Sequence, residues 1–300
     1  MSERPDILTV GLSPAIQKSI LFSEFSLHEV NRSTSYFTDA AGKCVNVCRV
    51  LVQGGYSAEC LTLSGVDNAK EFQALCERDG IALTAVPTGK KVRTCTTIIE
   101  TVTGNCTELV VNEPEVVTPE EEEAFKKTFL VMLDRGYKAV VISGSKLGGY
   151  SDEIIPFIVK ETKRRGLISI VDIKGKDLLN SYFSHMIRPD YVKINGEEFL
   201  ETFPEYDDVI TGIKDTTKKY GNAYIISRGS QSSLVATATS FDELPSKRLI
   251  PVNPIGCGDS MTAGLAGGLV SGLPLVEAVL KGIEFAAKNV KSVHPGWIIG

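Results

Sequence analysis

KAVVISGSKLGGYSDEIIPFIVKETKRRGLISIVDIKG, residues 138–175, decides the architecture. It opens on a short apolar run, KAVVISG. An amphipathic segment, SDEIIPFIVKETKRRG, follows and ends in basic residues before Gly166. A second apolar run, LISIVDIKG, closes it. Strands that read as continuous apolar runs are buried on both faces, and a helix between two of them is what a parallel pair needs. The pattern repeats downstream as DYVKIN (190–195), the helical DDVITGIKDTTKKYG (207–221) and NAYIISRG (222–229). Upstream, Thr118-Pro119-Glu120-Glu121 starts a helix, with Thr as N-cap, Pro at the first helical position and Glu closing a capping box. Phe125, Phe129, Met132 and Leu133 recur at helical spacing, and Gly136 ends the run. These segments predict an α/β protein with a parallel sheet covered on both faces. Ligands of such sheets bind outside the carboxyl ends of the strands. Those ends carry Ser143-Gly144-Ser145, Asp172, Lys193 with Asn195, and Ser227 with Gly229; Asp172 either faces the crevice there or caps the segment that follows.

The first third reads differently. ILTVGLSP is an opening strand. AIQKSILF, STSYF, VRTCTTIIETV and NCTELVVN alternate apolar residues with polar ones or Thr, as half-exposed antiparallel strands do. They interrupt helical segments at KCVNVCRVLVQGG and AKEFQALCERDG. The expected arrangement is a single domain over 1–300, with a small β-sheet from about 14–40 and 92–113 projecting beside the site as a lid.

Bulk properties exclude several classes. The chain has 300 residues, 43% hydrophobic, enough for a large core. A formal net charge of −5 and the lack of a basic stripe argue against nucleic acid as a partner. No stretch offers the roughly 20 apolar residues of a membrane helix. MSERPDILTV is not a secretory signal, so a cytoplasmic protein is expected. The seven cysteines form no CxxC pair, which fits reduced thiols and neither a disulfide nor a zinc framework.

NPIGCGDS, residues 253–260, holds the densest chemistry. Asn253 and Pro254 favour a turn, and a small-residue helix follows. A helix N-terminus exposes unpaired N–H groups and about half a positive charge, and glycine lets the backbone approach an anion. Gly256, Cys257 and Gly258 thus suit an anion hole, with Asp259 placed to accept a hydroxyl proton, as phosphoryl transfer requires. The same residues also fit a plain N-cap. Gly264, Gly267 and Gly268 in the following helix point to close packing. Lys193, Asn195 and Glu198 suit phosphate and hydrated Mg²⁺, or else a turn and a solvated helix start. Ser227 and Gly229 offer a hydroxyl and a tight turn for a triphosphate, or only the turn. Ala40-Ala41-Gly42-Lys43-Cys44-Val45-Asn46 repeats the glycine-to-helix logic, with Lys43 for a phosphate and Asn46 for a sugar hydroxyl, or else is a plain helix start with a solvated Lys. Arg93 adds a bidentate phosphate contact or is an exposed strand residue.

These motifs together resemble a known family. NPIGCGDS resembles the N-x-x-G-A-G-D-S signature of the ribokinase-like, PfkB-type carbohydrate kinases. AAGKCVNVCRVL resembles G-G-K-G-x-N-v-A-R-x-L. ILTVGLSPAIQKS resembles the opening strand of the phosphofructokinase branch, and ELVVNEPE the N-E-P segment of the 1-phosphofructokinase and tagatose-6-phosphate kinase branch. SGSKLGG, DIKG, KINGEE and SRGSQSS fall in family order. The resemblance spans nearly the whole chain. It implies a three-layer α/β/α domain with a β lid that pairs in homodimers, and ATP with Mg²⁺ as cofactors. The acceptor it implies is a sugar or sugar phosphate, with fructose 1-phosphate or tagatose 6-phosphate first. It makes Asp259 the base and 256–258 the anion hole. Lys193, Ser227 and Gly229 would line the ATP phosphates, and Asn195 and Glu198 would organise Mg²⁺. Gln17, Gly42, Lys43, Asn46, Arg93 and Ser145 would face the sugar or its phosphate.

Five departures lie on the sugar side. Gln17 stands where the family carries Asp. Ala41 and Cys44 replace glycines, Cys95 replaces Asn, and Lys146 enters where a Pro-Pro turn is usual. They leave room for an unphosphorylated sugar or nucleoside as acceptor, or for a non-catalytic sugar- or nucleotide-binding regulator. The retained Asp259 speaks for an enzyme.

Overall fold

A computed structural model of the chain describes residues 5–111, 116–183, 187–246 and 249–299. The larger sheet is built from β1 (Ile7–Val10), β4 (Ala58–Ser64), β5 (Ala82–Pro87), β8 (Ala139–Ser143), β9 (Ile168–Asp172), β10 (Tyr191–Asn195), β11 (Ala223–Ser227), β12 (Ser233–Ala236) and β13 (Phe241–Leu244). Its order is β13-β12-β11-β10-β9-β8-β1-β4-β5. All pairings from β11 to β5 are parallel, and only the edge pairs β11–β12 and β12–β13 are antiparallel.

Alternation along each strand sorts side chains between two cores. Val140, Ile142, Val171, Val192, Ile194 and Ile226 pack against α3 (Pro119–Leu133), α4 (Ile154–Arg164), α5 (Gly175–Phe183), α6 (Gly196–Thr202) and α7 (Val209–Tyr220). Ala139, Val141, Ile170 and Ile225 face the other way, toward α1 (Lys43–Gln53), α2 (Ala69–Arg78), α8 (Cys257–Val270) and α9 (Leu275–Asn289). The three-layer α/β/α arrangement follows. The Thr118–Glu121 capping box is present in full, with Pro119 at the helix start. Gly221 ends α7 in the left-handed conformation, at φ 79°. A Cβ on Gly264 would overlap the Gly282 backbone, so α8 and α9 pack in close contact.

The smaller sheet has the order β3-β2-β6-β7, from β2 (Ala15–Phe22), β3 (Ser35–Ala41), β6 (Arg93–Glu100) and β7 (Cys106–Val110). β2–β3 and β6–β7 are antiparallel, as the alternation predicts, but β2 and β6 run parallel. The reason is topological. α1, β4, α2 and β5 intervene, and that long crossover lets the chain re-enter in the same direction. The far end of this sheet meets the loop before α8: Cys106 Sγ lies 4.0 Å from the Val252 carbonyl and 3.9 Å from Asn253 Oδ1. The N-E-P segment, residues 112–114, and the outer lid boundary at Glu113 lie outside the described residues. Among the described residues, no helix is long and apolar enough to cross a membrane.

Candidate active site

Residues two apart on a strand share a face, so Ser143, Asp172, Lys193, Asn195 and Ser227 end their strands on the α1/α8 side of the sheet. The register sets Ser143 beside Asp172 and Asn195 beside Ser227. The N-termini of α1 and α8 open over the same strand ends, bringing Lys43, Asn46 and Asp259. These groups are spread along the chain from Lys43 to Asp259; the crossovers gather them.

Asp172 is the hub, and the sequence left it open as a capping residue. It is 1% exposed. Lys43 Nζ donates to its Oδ1 at 3.0 Å. Lys193 Nζ and the Thr262 hydroxyl donate to its Oδ2 at 3.4 and 3.0 Å. Burial by itself raises this carboxyl, but the Lys193 and Lys43 ammonium groups more than offset it and hold it at about 2. In return, the Asp172 charge holds Lys43 well above the ordinary lysine value. Lys43 also lies 3.8 Å from Glu198 Oε1. It therefore stands with the strand-end cluster.

Asn195 and Glu198 form a reciprocal capping box on α6. Asn195 Oδ1 accepts from the Glu198 N–H at 2.8 Å, and Glu198 Oε2 accepts from the Asn195 N–H at 3.0 Å. That leaves Glu198 Oε1 facing Lys43. Among the described residues, no group of three or more acidic, Cys or His side chains is placed to hold a metal ion. Mg²⁺ binds typically through one or two carboxylates, water and substrate phosphates, so this donor set fits a hydrated ion and offers no closed cage.

Gly256 caps α8 at φ 83°, and a Cβ there would overlap the Gly296 backbone nitrogen. The Cys257 N–H bonds the Pro254 carbonyl at 3.2 Å, and the first helical bond runs from the Ser260 N–H to the Gly256 carbonyl. The Gly258 and Asp259 N–H groups precede that bond in the first turn, where a helix has no carbonyl to offer them. A Cβ on Gly258 would meet Lys193 Nζ at 3.0 Å, so the ammonium lies against the helix start.

Asp259 is 6% exposed, and Asn46 Nδ2 donates to its Oδ2 at 2.8 Å. Burial raises its pKa above the usual Asp value; Lys43 opposes that rise and Asp172 adds to it. Burial likewise pushes the Cys257 thiol up, while Asn289 Nδ2 donates to its sulfur at 3.3 Å. Asn289 had no signal in the sequence beyond its place at the end of α9. It also donates to the Ile255 carbonyl at 2.9 Å and accepts from the Ser260 hydroxyl at 3.2 Å, so it braces the turn before α8.

The remaining candidates sit at the root of the smaller sheet or on the far side of the strand ends. Ala15 pairs with both Ala41 and Arg93, which puts Arg93 in the row that runs into Gly42. Arg93 Nε is buried and hydrogen-bonds to no described group. Gln17 is buried, and its Nε2 donates to the Thr97 hydroxyl at 2.7 Å. Ser145 is exposed just beyond β8, and Gly229 turns the chain after β11 at φ 60°.

The profile of the pfkB family carbohydrate kinases matches residues 6–296, and the chain belongs to that family. It is a carbohydrate kinase. It is 27% identical over 299 residues to tagatose-6-phosphate kinase of Staphylococcus epidermidis, covering 97% of this chain and 94% of that protein. Among solved structures, a possible 1-phosphofructokinase of Thermotoga maritima superimposes with a TM-score of 0.88 at 21% identity, covering 98% of this chain and 94% of that one. Phosphofructokinase-2 of Escherichia coli with fructose-6-phosphate gives 0.84 at 18% identity, covering 95% and 94%. These two likenesses concern the fold.

Proposed function

We propose that the chain transfers the γ-phosphoryl group of ATP to a hydroxyl of a sugar phosphate, with fructose 1-phosphate and tagatose 6-phosphate the first candidates. The supporting observation is the buried Asp259 carboxylate, raised by its surroundings and set in the first turn of α8 beside Asn46, close to the Lys43 and Lys193 charges. Asp259 takes the proton of the acceptor hydroxyl, a role worth about 10²–10⁴-fold in rate. The backbone of 256–258, with the Lys193 ammonium against it, holds the charge of the group in transit. Lys193, Ser227 and Gly229 line the donor phosphates. Glu198 and Asn195, directly or through water, would hold Mg²⁺, which when bound would neutralise charge on the phosphate oxygens. On the acceptor side stand Gln17, Gly42, Asn46, Arg93 and Ser145, with Lys43 between acceptor and donor. The unpartnered Arg93 Nε fits an anionic acceptor. The tagatose-6-phosphate kinase likeness supports the same class.

The smaller sheet serves as the lid, rooted at about 14–40 and 92–113. Its edge strand β7 exposes Leu109 and Val110, which supports a homodimer through this sheet. A cytoplasmic site of action fits a sugar kinase.

The test is ADP release with Mg-ATP across sugars, sugar phosphates and nucleosides, run beside Asp259→Asn. Turnover on a ketohexose phosphate that disappears in the variant supports the reading. The bonded Gln17 amide favours a second reading, an unphosphorylated sugar or a nucleoside as acceptor. Arg93→Ala separates the two, because it raises the acceptor KM only for a phosphorylated acceptor. Silence across the panel with ATP still bound points to a non-catalytic binding protein.

A further inference from the structure

One group beneath the proposed base has no part in that chemistry and no ordinary reason to be there. Arg49 is 0% exposed, a guanidinium inside the α1 layer. Burying such a charge is unfavourable unless every donor is met, and an apolar residue would pack α1 as well. Every nitrogen of Arg49 is engaged. Its Nε donates to Asp79 Oδ2 at 2.8 Å, and Nη2 donates to the Ala40 carbonyl. Its Nη1 donates to Asn46 Oδ1 at 2.9 Å and to the Pro295 carbonyl at 3.3 Å.

The Asn46 contact matters because an amide has two ends of similar shape and opposite polarity. Arg49 can only donate, so Oδ1 of Asn46 must face it. The amide nitrogen is then turned to Asp259, which as a carboxylate can only accept. Without Arg49 only the ionised Asp259 selects that orientation, and once Asp259 has taken a proton the Asn46 amide is free to turn either end to it. Arg49 is itself anchored. Asp79 Oδ1 accepts from Arg78 Nε at 2.7 Å, and Arg78 Nη2 donates to Asp39 Oδ1 at 2.7 Å. An unbroken hydrogen-bonded chain therefore runs Asp259–Asn46–Arg49–Asp79–Arg78–Asp39, from the proposed base to β3 of the smaller sheet.

We propose that Arg49 is a positioning residue for phosphoryl transfer: it locks the Asn46 amide so that its N–H holds Asp259 in the orientation that receives the proton. This rests on the reading of Asp259 as base.

The test compares Arg49→Lys, Asn46→Ala and the double variant by steady-state kinetics, with Asp259→Asn as reference. A lysine still carries charge to Asp79 but lacks the fork that reaches Asn46 at the same time. Arg49→Lys is expected to lower kcat by about 10- to 100-fold with the KM for ATP unchanged. Because Arg49 acts through Asn46, the double variant should be no slower than Asn46→Ala alone. A folded Arg49→Lys with normal kcat, or losses that multiply in the double variant, overturns the proposal. If Arg49→Lys does not fold, Asp79→Asn loosens the anchor while Arg49 stays in place; a several-fold drop in kcat at constant ATP KM supports the proposal, and a normal kcat overturns it. Asp259→Asn keeps the two claims apart. If it abolishes turnover while the Arg49 variants behave normally, only the positioning role fails. If it leaves turnover intact, the base assignment itself is wrong.

Discussion

Lys43 and Asp172 stand 129 residues apart in sequence and meet at 3.0 Å, with the carboxylate almost wholly buried. Lys193 approaches the other oxygen of the same carboxylate, so one acid holds two cations at the floor of the site. The anchor decides where both ammonium groups sit.

Removing that anchor should be expensive. Asp172→Asn leaves the buried Lys193 and the half-exposed Lys43 facing a neutral amide, and breaking the buried Lys193 pair costs about 3–5 kcal/mol. Denaturant unfolding measures it. The pH dependence has a definite sign. Asp172 titrates at about 2 in the folded chain against an ordinary 3.8. Its contribution, on the order of 2 kcal/mol, is present in full above the unfolded value and is lost as pH falls toward the folded one. Asp172→Asn should therefore flatten the acid limb of stability between about pH 4 and 2.

Asp259→Asn should separate activity from stability in the opposite way. The folded state raises this carboxyl, so the ionised form is disfavoured in the fold and its charge costs stability above the folded pKa. The amide removes that cost. Turnover should fall by about 10²–10⁴-fold while the melting temperature holds or rises. A melting temperature that drops by several degrees contradicts this account of the site.

Two glycines make a matched pair. Gly256 combines φ 83° with backbone contact to Gly296, whereas Gly229 adopts φ 60° with open space around it. Gly229→Ala should cost about 1–2 kcal/mol from the left-handed conformation alone. Gly256→Ala adds a clash and a displaced helix start. It should cost more than Gly229→Ala in thermal unfolding and should also lower kcat. Equal costs would show that the 256–296 contact does not constrain the turn.

Restoring a carboxylate at position 17 should not come free. Gln17 and Asp39 are direct cross-strand partners, and both are buried. Gln17→Asp loses the donor to Thr97 and sets two acids side by side, a destabilisation of about 1–3 kcal/mol. Calorimetry of the variant reads this, and acceptor kinetics show whether any sugar is bound more tightly in exchange.

Much of this molecule is local and therefore legible from spacing. The apolar runs at 139–143, 168–172 and 223–227, the Thr118 capping box and the glycine before each site helix follow from backbone sterics and periodicity, which depend only on near neighbours in the chain. The same logic places Lys193, Ser227 and Asp259 at strand ends and a helix start. Side-chain partnership is not local. That Asp172 is a hub rather than a cap, that β2 and β6 run parallel, and that Asn289 braces the turn before α8 all depend on which strands lie adjacent. The burial of Arg49 beneath the base belongs with them. In sequence it is one basic residue in an apolar helix, indistinguishable from a solvated one. Only when α1 is laid under Pro295 and beside Asp79 does its charge have to be met, because a buried donor must find an acceptor where the fold provides one.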